Sequence, residues 1–331
     1  MGTFVLSRFR SLVILLLDKI SFWRRPHVAF QSSRHFSERE VSARVPVNSW
    51  DSHMHVIDPN NYPLAAGAKY TPKTHDLSQA MSFESSVGFK NVVIVQPSVY
   101  GNDNSCVLDA LRRLGPSRAH AVVAFDPETI NTKTLQEWHE LGVRGVRVNL
   151  QSVGTQIESS VLAVTLQRYA DIIRPFDWVL QLYVALNTAK LLEKIVSELR
   201  VKVCLDHFGC PSLPCPENKS LYSASTDPYT LPGFSSLVNL LRQGDTYIKL
   251  SAPYRISKEE SHRDLEPVAK ELLKVAGKRR VVFATDWPHT RFEGLDIKPY
   301  IETALEWCGN DKRLAERLFR ENAEDLWGVK R

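Results

Sequence analysis

From Ser49 onward, short runs of β-branched and apolar residues alternate with longer stretches whose apolar positions recur at helical spacing. Such alternation marks βα units built around a parallel sheet. Eight strand-like runs stand out, at residues 50–57, 91–97, 119–125, 142–150, 178–184, 202–208, 246–252 and 280–287. Helical patterns lie between them, clearest at 161–173, 188–199, 264–275 and 297–307, and a charged amphipathic stretch at 311–327 predicts a last helix packed under the sheet. Eight strands between residues 49 and 331 predict an α/β fold of the TIM-like (β/α)8 barrel type, whose usual size is about 250 residues.

No glycine-rich nucleotide-binding element follows any of these strands, so a dinucleotide or P-loop fold lacks its phosphate cradle. The longest irregular stretch, 209–232, is proline-rich and follows the sixth strand, where barrel enzymes carry active-site loops. It reads as a lid or substrate loop.

Composition narrows the function further. A hydrophobic fraction of 43% with 24% charged residues is ordinary for a globular domain. The five cysteines, Cys106, Cys204, Cys210, Cys215 and Cys308, form an odd set with no CxxC pair, which argues against a disulfide framework. The formal charge of +5 falls entirely within residues 1–48, and the remainder balances at 34 basic against 34 acidic side chains. A neutral body with no dense basic run gives little footprint for nucleic acid. Residues 1–48 are rich in Arg and Ser, and their apolar stretch at 12–17 is far shorter than the ~18 residues a membrane span needs. The segment is expected to be a transit peptide for a mitochondrion or plastid, with a cytoplasmic tail as the alternative, and no membrane partner is expected. Oligomeric state is not legible.

The chemistry concentrates at three strands. The first reads Trp50-Asp51-Ser52-His53-Met54-His55. Strand positions i and i+2 share a face, so both imidazoles point into the barrel mouth, where they can hold a divalent cation or a substrate carbonyl. The sixth strand ends Leu205-Asp206-His207-Phe208-Gly209, and the eighth ends Ala284-Thr285-Asp286-Trp287-Pro288-His289. Polar groups at the C-terminal ends of barrel strands face the active site. His53, His55, His207 and Asp286 are therefore expected to converge.

The ordered set WDSHMH, VQPSVYGNDN, VRGVRVN, LQLYV, LDHFG, IKLSAPYR and ATDWPH resembles the amidohydrolase superfamily, in its branch of 2-pyrone-4,6-dicarboxylate lactonase and sulfomuconolactone hydrolase. The resemblance spans nearly the whole body. It implies a distorted (β/α)8 barrel and a hydrolase acting on a small anionic lactone or related cyclic ester. Asp286 would be the general base, with His53, His55 and His207 polarising the carbonyl. It also implies substrate contacts from Arg147, Arg255, Ser98, Tyr70, Tyr183 and His289, the two arginines suiting a carboxylate or sulfonate. Tyr183 stands where many metal-dependent relatives place a histidine, so the cofactor is either none or one divalent metal, zinc first, held by His53, His55 and Asp286 with or without His207. Val153 stands near where the pyrone lactonase carries a second arginine, which argues for a substrate with fewer or differently placed acid groups. The same motifs also fit a metal-dependent decarboxylase of an unsaturated or aromatic acid, or an inactive barrel that binds a small acid.

Overall fold

The computed structural model describes residues 38–151, 158–214 and 227–329. Most of the N-terminal extension, Val153 and the middle of the expected lid lie outside them. Eight parallel strands follow chain order around the barrel: β1 (Trp50–Met54), β2 (Asn91–Val95), β3 (Ala119–Val123), β4 (Val143–Asn149), β5 (Val179–Tyr183), β6 (Val203–Leu205), β7 (Thr246–Leu250) and β8 (Val281–Phe283). The ring closes between its ends, where the His55 amide donates to the Trp287 carbonyl at 2.8 Å and the Asp286 amide to the His53 carbonyl at 2.9 Å. This is the expected (β/α)8 architecture.

A short helix, α1 (Glu38–Arg44), precedes the barrel. The outer layer consists of α2 (Leu77–Val87), α3 (Ser105–Leu114), α4 (Thr132–Leu141), α5 (Ser159–Ile173), α6 (Ala189–Leu199), α7 (Phe234–Gln243), α8 (Glu266–Ala276) and α9 (Lys298–Trp307). The chain ends in α10 (Lys312–Glu316), a wide π turn at Arg317–Glu321 and α11 (Asn322–Trp327). None of the helices among the described residues is long and apolar enough to cross a membrane.

Alternate strand residues face opposite ways, which gives two apolar clusters. Met54, Ile94, Leu180, Leu205, Ile248 and Phe283 face the helices. Trp50, Val93, Val122, Val179, Cys204, Tyr247 and Val282 fill the lower interior, closed from beneath by Ala323, Leu326 and Trp327 of α11. The amphipathic 311–327 segment thus plugs the barrel floor.

The parity of β1 is broken on purpose by a bulge. Asp51 pairs with Val92 and Met54 with Ile94, so three steps on β1 match two on β2. Trp50 faces inward; in an unbroken strand His53 and His55 would then face the helices. The extra residue re-phases the strand and turns both imidazoles inward, a common use of bulges beside active sites. Asp51 secures the distortion, accepting from the His53 amide at 2.9 Å and the Thr285 amide at 3.0 Å and bonding the Thr285 hydroxyl.

Val41 and Val45, ahead of residue 49, are buried in the outer cluster, and Arg44 pairs with the buried Glu302 of α9. Gly88, at φ 91°, lets α1 cross closely, since a Cβ there would sit 3.0 Å from the Ser42 Cα. Strands β6 and β8 stop short of the expected 208 and 287. His207 and Phe208 (φ 51° and 56°) and Asp286 (φ 61°) leave strand geometry for the left-handed region. Such conformations cost on the order of 1–3 kcal/mol each and persist where packing and hydrogen bonds enforce them.

Candidate active site

Three strand ends, those of β1, β6 and β8, deliver the cluster foreseen at the barrel mouth. His53 Nε2 lies 3.3 Å from His55 Nε2, and Asp286 Oδ1 lies 3.6 Å from the first and 3.5 Å from the second. His207 Nε2 is 4.0 Å from the same oxygen. The left-handed kink swings the His207 side chain into the mouth beside the inward-facing Asp206. Its Nδ1 is 2.8 Å from the Ser251 hydroxyl, and its ring lies edge-on to Tyr183 at 4.7 Å between centroids.

Asp286 is held by its other oxygen. Oδ2 accepts from the Tyr254 hydroxyl at 2.7 Å and from Arg255 Nε at 2.9 Å, which leaves Oδ1 turned to the imidazoles. Burial alone would push this carboxyl up, but Arg255 and the surrounding histidines hold it well below the ordinary carboxylate range. Asp286 is therefore an ionised carboxylate with one oxygen fixed and the other aimed at the imidazoles. Burial pushes His53 well below its ordinary value, with the Lys249 charge adding to it, and lowers His207 and His289 to about 4. All three are neutral at physiological pH.

Beneath the histidines lies a buried polar layer that the motifs did not single out. Asp206, 1% exposed, faces inward from the end of β6. It accepts from Gln181 Nε2 at 2.9 Å and from Arg147 Nε at 3.1 Å, and its Oδ1 lies 3.4 Å from Lys249 Nζ and 3.2 Å from His53 Nδ1. Burial would raise its carboxyl, but Lys249, His53 and Arg147 keep it well below the usual range. A charged residue at an inward position of an otherwise apolar strand, as in Tyr247-Ile248-Lys249-Leu250, is the signal that would have found this layer.

The substrate residues expected from the resemblance are divided between core and rim. Arg147 is committed to Asp206 and stacks 5.3 Å from the Tyr183 ring centroid, with its side chain 6% exposed. Arg255, committed to Asp286 and the Thr290 carbonyl, keeps 19% of its side chain exposed. The two guanidiniums thus serve buried carboxylates first. His289 is buried between Phe83 and Tyr254, and its Nε2 has no hydrogen-bond partner among the described residues. Tyr70 and Ser98 stand at the rim, Tyr70 with its ring 4.4 Å from the Arg291 guanidinium carbon and Ser98 in the turn after β2.

Residues 50–329 match the amidohydrolase family model. The chain is an amidohydrolase. Among curated relatives, it is 30% identical over 292 residues to 4-sulfomuconolactone hydrolase of Hydrogenophaga intermedia, covering 86% of this chain and 90% of that protein. It is 27% identical over 303 residues to 2-pyrone-4,6-dicarboxylate hydrolase of Comamonas testosteroni, covering 86% and 91%. An amidohydrolase of Burkholderia multivorans, solved with bound zinc, superposes with a TM-score of 0.64 at 18% identity, covering 85% of this chain and 99% of that one, a likeness of fold.

The amidohydrolase site fits a divalent cation. His55 Nδ1 lies 2.7 Å from the Val95 carbonyl, which can only accept, so a neutral His55 presents a bare Nε2. A neutral His53 that donates from Nδ1 to Asp206 does the same. Two lone pairs 3.3 Å apart beside a carboxylate oxygen repel one another unless a cation lies between them. The triangle edges of 3.3, 3.5 and 3.6 Å approach the ~3.3–3.4 Å edge of a tetrahedron with ~2.0–2.1 Å metal–ligand bonds. A second grouping, His53, Asp206 and His207, is also close enough. Asp206 is a poorer ligand there, because its oxygens already serve Arg147, Gln181, Lys249 and His53.

Proposed function

We propose that this amidohydrolase opens a small lactone, or related cyclic ester, that carries an anionic substituent. The observation that carries the reading is Asp286: one oxygen is fixed by Tyr254 and Arg255, and the other is turned toward three imidazoles. Such an arrangement suits proton abstraction from a water attacking a carbonyl. The two curated relatives add support, since their names specify a sulfonated muconolactone and a pyrone dicarboxylate, both cyclic esters with acid groups.

In the reaction, Asp286 Oδ1 takes a proton as the water oxygen bonds to the carbonyl carbon. His207, held through its Nδ1 by Ser251, stands beside the developing oxyanion. The acyl carbon–oxygen bond of the ring then breaks, and the proton held by Asp286 passes to the leaving oxygen. The substrate's acid group meets Arg255, the more exposed guanidinium, and the buried His289 ring closes the pocket behind it. His53, His55 and Asp286 would hold one divalent metal, with zinc the best match to two imidazoles and a carboxylate. Once bound, such an ion supplies Lewis-acid polarisation and a more acidic water. Replacing Asp286 by Asn, nearly isosteric, is expected to lower kcat at least about a thousandfold, roughly 4 kcal/mol of barrier, while leaving anion binding largely intact. Turnover retained within about tenfold, roughly 1.4 kcal/mol, removes Asp286 as the base.

The same reading keeps the arginine-rich N-terminus as a targeting leader for a mitochondrion or plastid. Because Val41 and Val45 pack into the fold, processing is expected upstream of Glu38, which N-terminal sequencing of the cellular protein would test.

A further inference from the structure

Lys249 is the largest feature of the interior that the hydrolysis does not use. Its side chain is 0% exposed in the middle of the barrel, where an ammonium costs several kcal/mol unless it is well paired. Its Nζ lies 3.4 Å from Asp206 Oδ1 and 3.4 Å from His53 Nδ1, with the Trp327 ring centroid at 5.4 Å. His53 Nδ1 therefore has two neighbours of opposite kind, an acceptor in Asp206 Oδ1 at 3.2 Å and a donor in Lys249.

The choice between them is felt at the far end of the ring. If Nδ1 donates to Asp206, Nε2 is bare, faces the bare Nε2 of His55 and can ligate a cation. If Lys249 donates to Nδ1, the proton sits on Nε2, which can hydrogen-bond His55 and leaves no room for a cation. Three arrangements favour the first state. The carboxylate is the nearer neighbour. Arg147 occupies Asp206 Oδ2, and Gln181 lies 2.9 Å from Oδ1, which aims the carboxylate at the ring. Lys249 is paired as a counter-ion with that same carboxylate, its Nζ 3.4 Å from Oδ1.

We propose that Asp206 is the positioning residue that fixes His53 in its Nδ1-protonated tautomer, and that Lys249 sets from beneath how tightly His53, His55 and Asp286 hold a divalent cation. The proposal rests on the metal reading above and assigns residues outside the ligand set to its control. The two residues carry opposite charges and act with opposite signs. Removing the Asp206 charge loosens the cation, whereas removing the Lys249 charge tightens it. A merely structural role would shift both in the same direction.

The test is zinc affinity of the full-length protein, measured by competition with a chromophoric chelator, for wild type, Asp206→Asn and Lys249→Met. Thermal melts confirm folding, and Lys249→Gln replaces Lys249→Met if the latter does not fold. Asp206→Asn is expected to weaken zinc about 10- to 100-fold, and the lysine variant to tighten it at least about threefold. Unchanged affinity in Asp206→Asn, or weaker binding on loss of Lys249, overturns the proposal. Nitrogen-15 NMR of the metal-free wild type reads the tautomer without any variant: Nδ1–H on His53 supports the assignment and Nε2–H overturns it. A wild type that binds no zinc but shows Nδ1–H overturns the metal reading and the role of Lys249, and upholds that of Asp206.

Discussion

The lower and upper halves of the barrel interior are built from the same strands, yet two residues of travel change their chemistry. Along β5 the inward series runs Val179, Gln181, Tyr183; along β7 it runs Tyr247, Lys249 and then Ser251; beyond β8, Val282 leads through Ala284 to Asp286. The lower layer is aliphatic and aromatic and is sealed by Trp327. The layer above, with Asp206, Lys249 and Arg147, is charged and buried, and tolerable only because each charge has a fixed partner. Stability and reactivity are thereby separated along one axis, with Trp327 at the junction, where its ring lies 5.4 Å from Lys249 and its indole N–H donates to the Ser52 hydroxyl at 3.4 Å.

Perturbing each half should break the comparison in a different observable. Trp327→Ala removes the floor and is expected to lower unfolding free energy by about 3–5 kcal/mol in urea titration, with kcat of the folded protein changed less than about tenfold. A stability loss below about 1 kcal/mol would mean that the floor is not what closes the core. Arg255→Lys, in the upper half, should do the reverse. A lysine cannot hold Asp286 and the Thr290 carbonyl together as the guanidinium does. A fall in kcat of about ten- to a hundredfold, roughly 1.4–2.7 kcal/mol of barrier, is expected with little change in melting temperature. Equal effects on both would dissolve the distinction.

A smaller, graded effect concerns pH. His207 and His289 above, and His120 and His262 elsewhere, are lowered by burial to about 4. The unfolded chain takes up these protons near pH 6.5 and the folded chain does not, so protonation favours unfolding. Metal-free protein should lose stability as pH falls from about 6.5 toward 4, by at most about 1.4 kcal/mol per pH unit for each such histidine. Asp206 and Asp286, held below their ordinary range, contribute stability that is fully present above about pH 4 and is lost only at lower pH. Chemical denaturation at pH 7, 6 and 5 reads the histidine effect directly, and unfolding free energies independent of pH in this window contradict it.

Much of this arrangement was legible in the sequence, and the remainder was hidden for identifiable reasons. The eight strands and the convergence of His53, His55, His207 and Asp286 follow from periodicity and from where polar residues end each apolar run. The spacing of His53 and His55 places them on one face, but which face depends on the bulge, and that depends on Asp51 capturing the displaced His53 amide. Strand ends were overextended because His207 and Asp286 adopt left-handed backbone that propensity does not anticipate. Arg147 and Arg255 look like free anion receptors when read alone. Only the folded chain reveals the carboxylates that engage them, Asp206 and Asp286, 59 and 31 residues away.

The most direct test of the central claim is ring opening by the purified wild-type protein, followed as proton release and product mass across a panel of lactones with and without carboxylate or sulfonate groups, with metal content measured on the same sample. Hydrolysis of anionic lactones in clear preference to their neutral counterparts is the predicted result. Release of carbon dioxide from unsaturated acids, or ligand binding with no turnover of any lactone or ester, would contradict it.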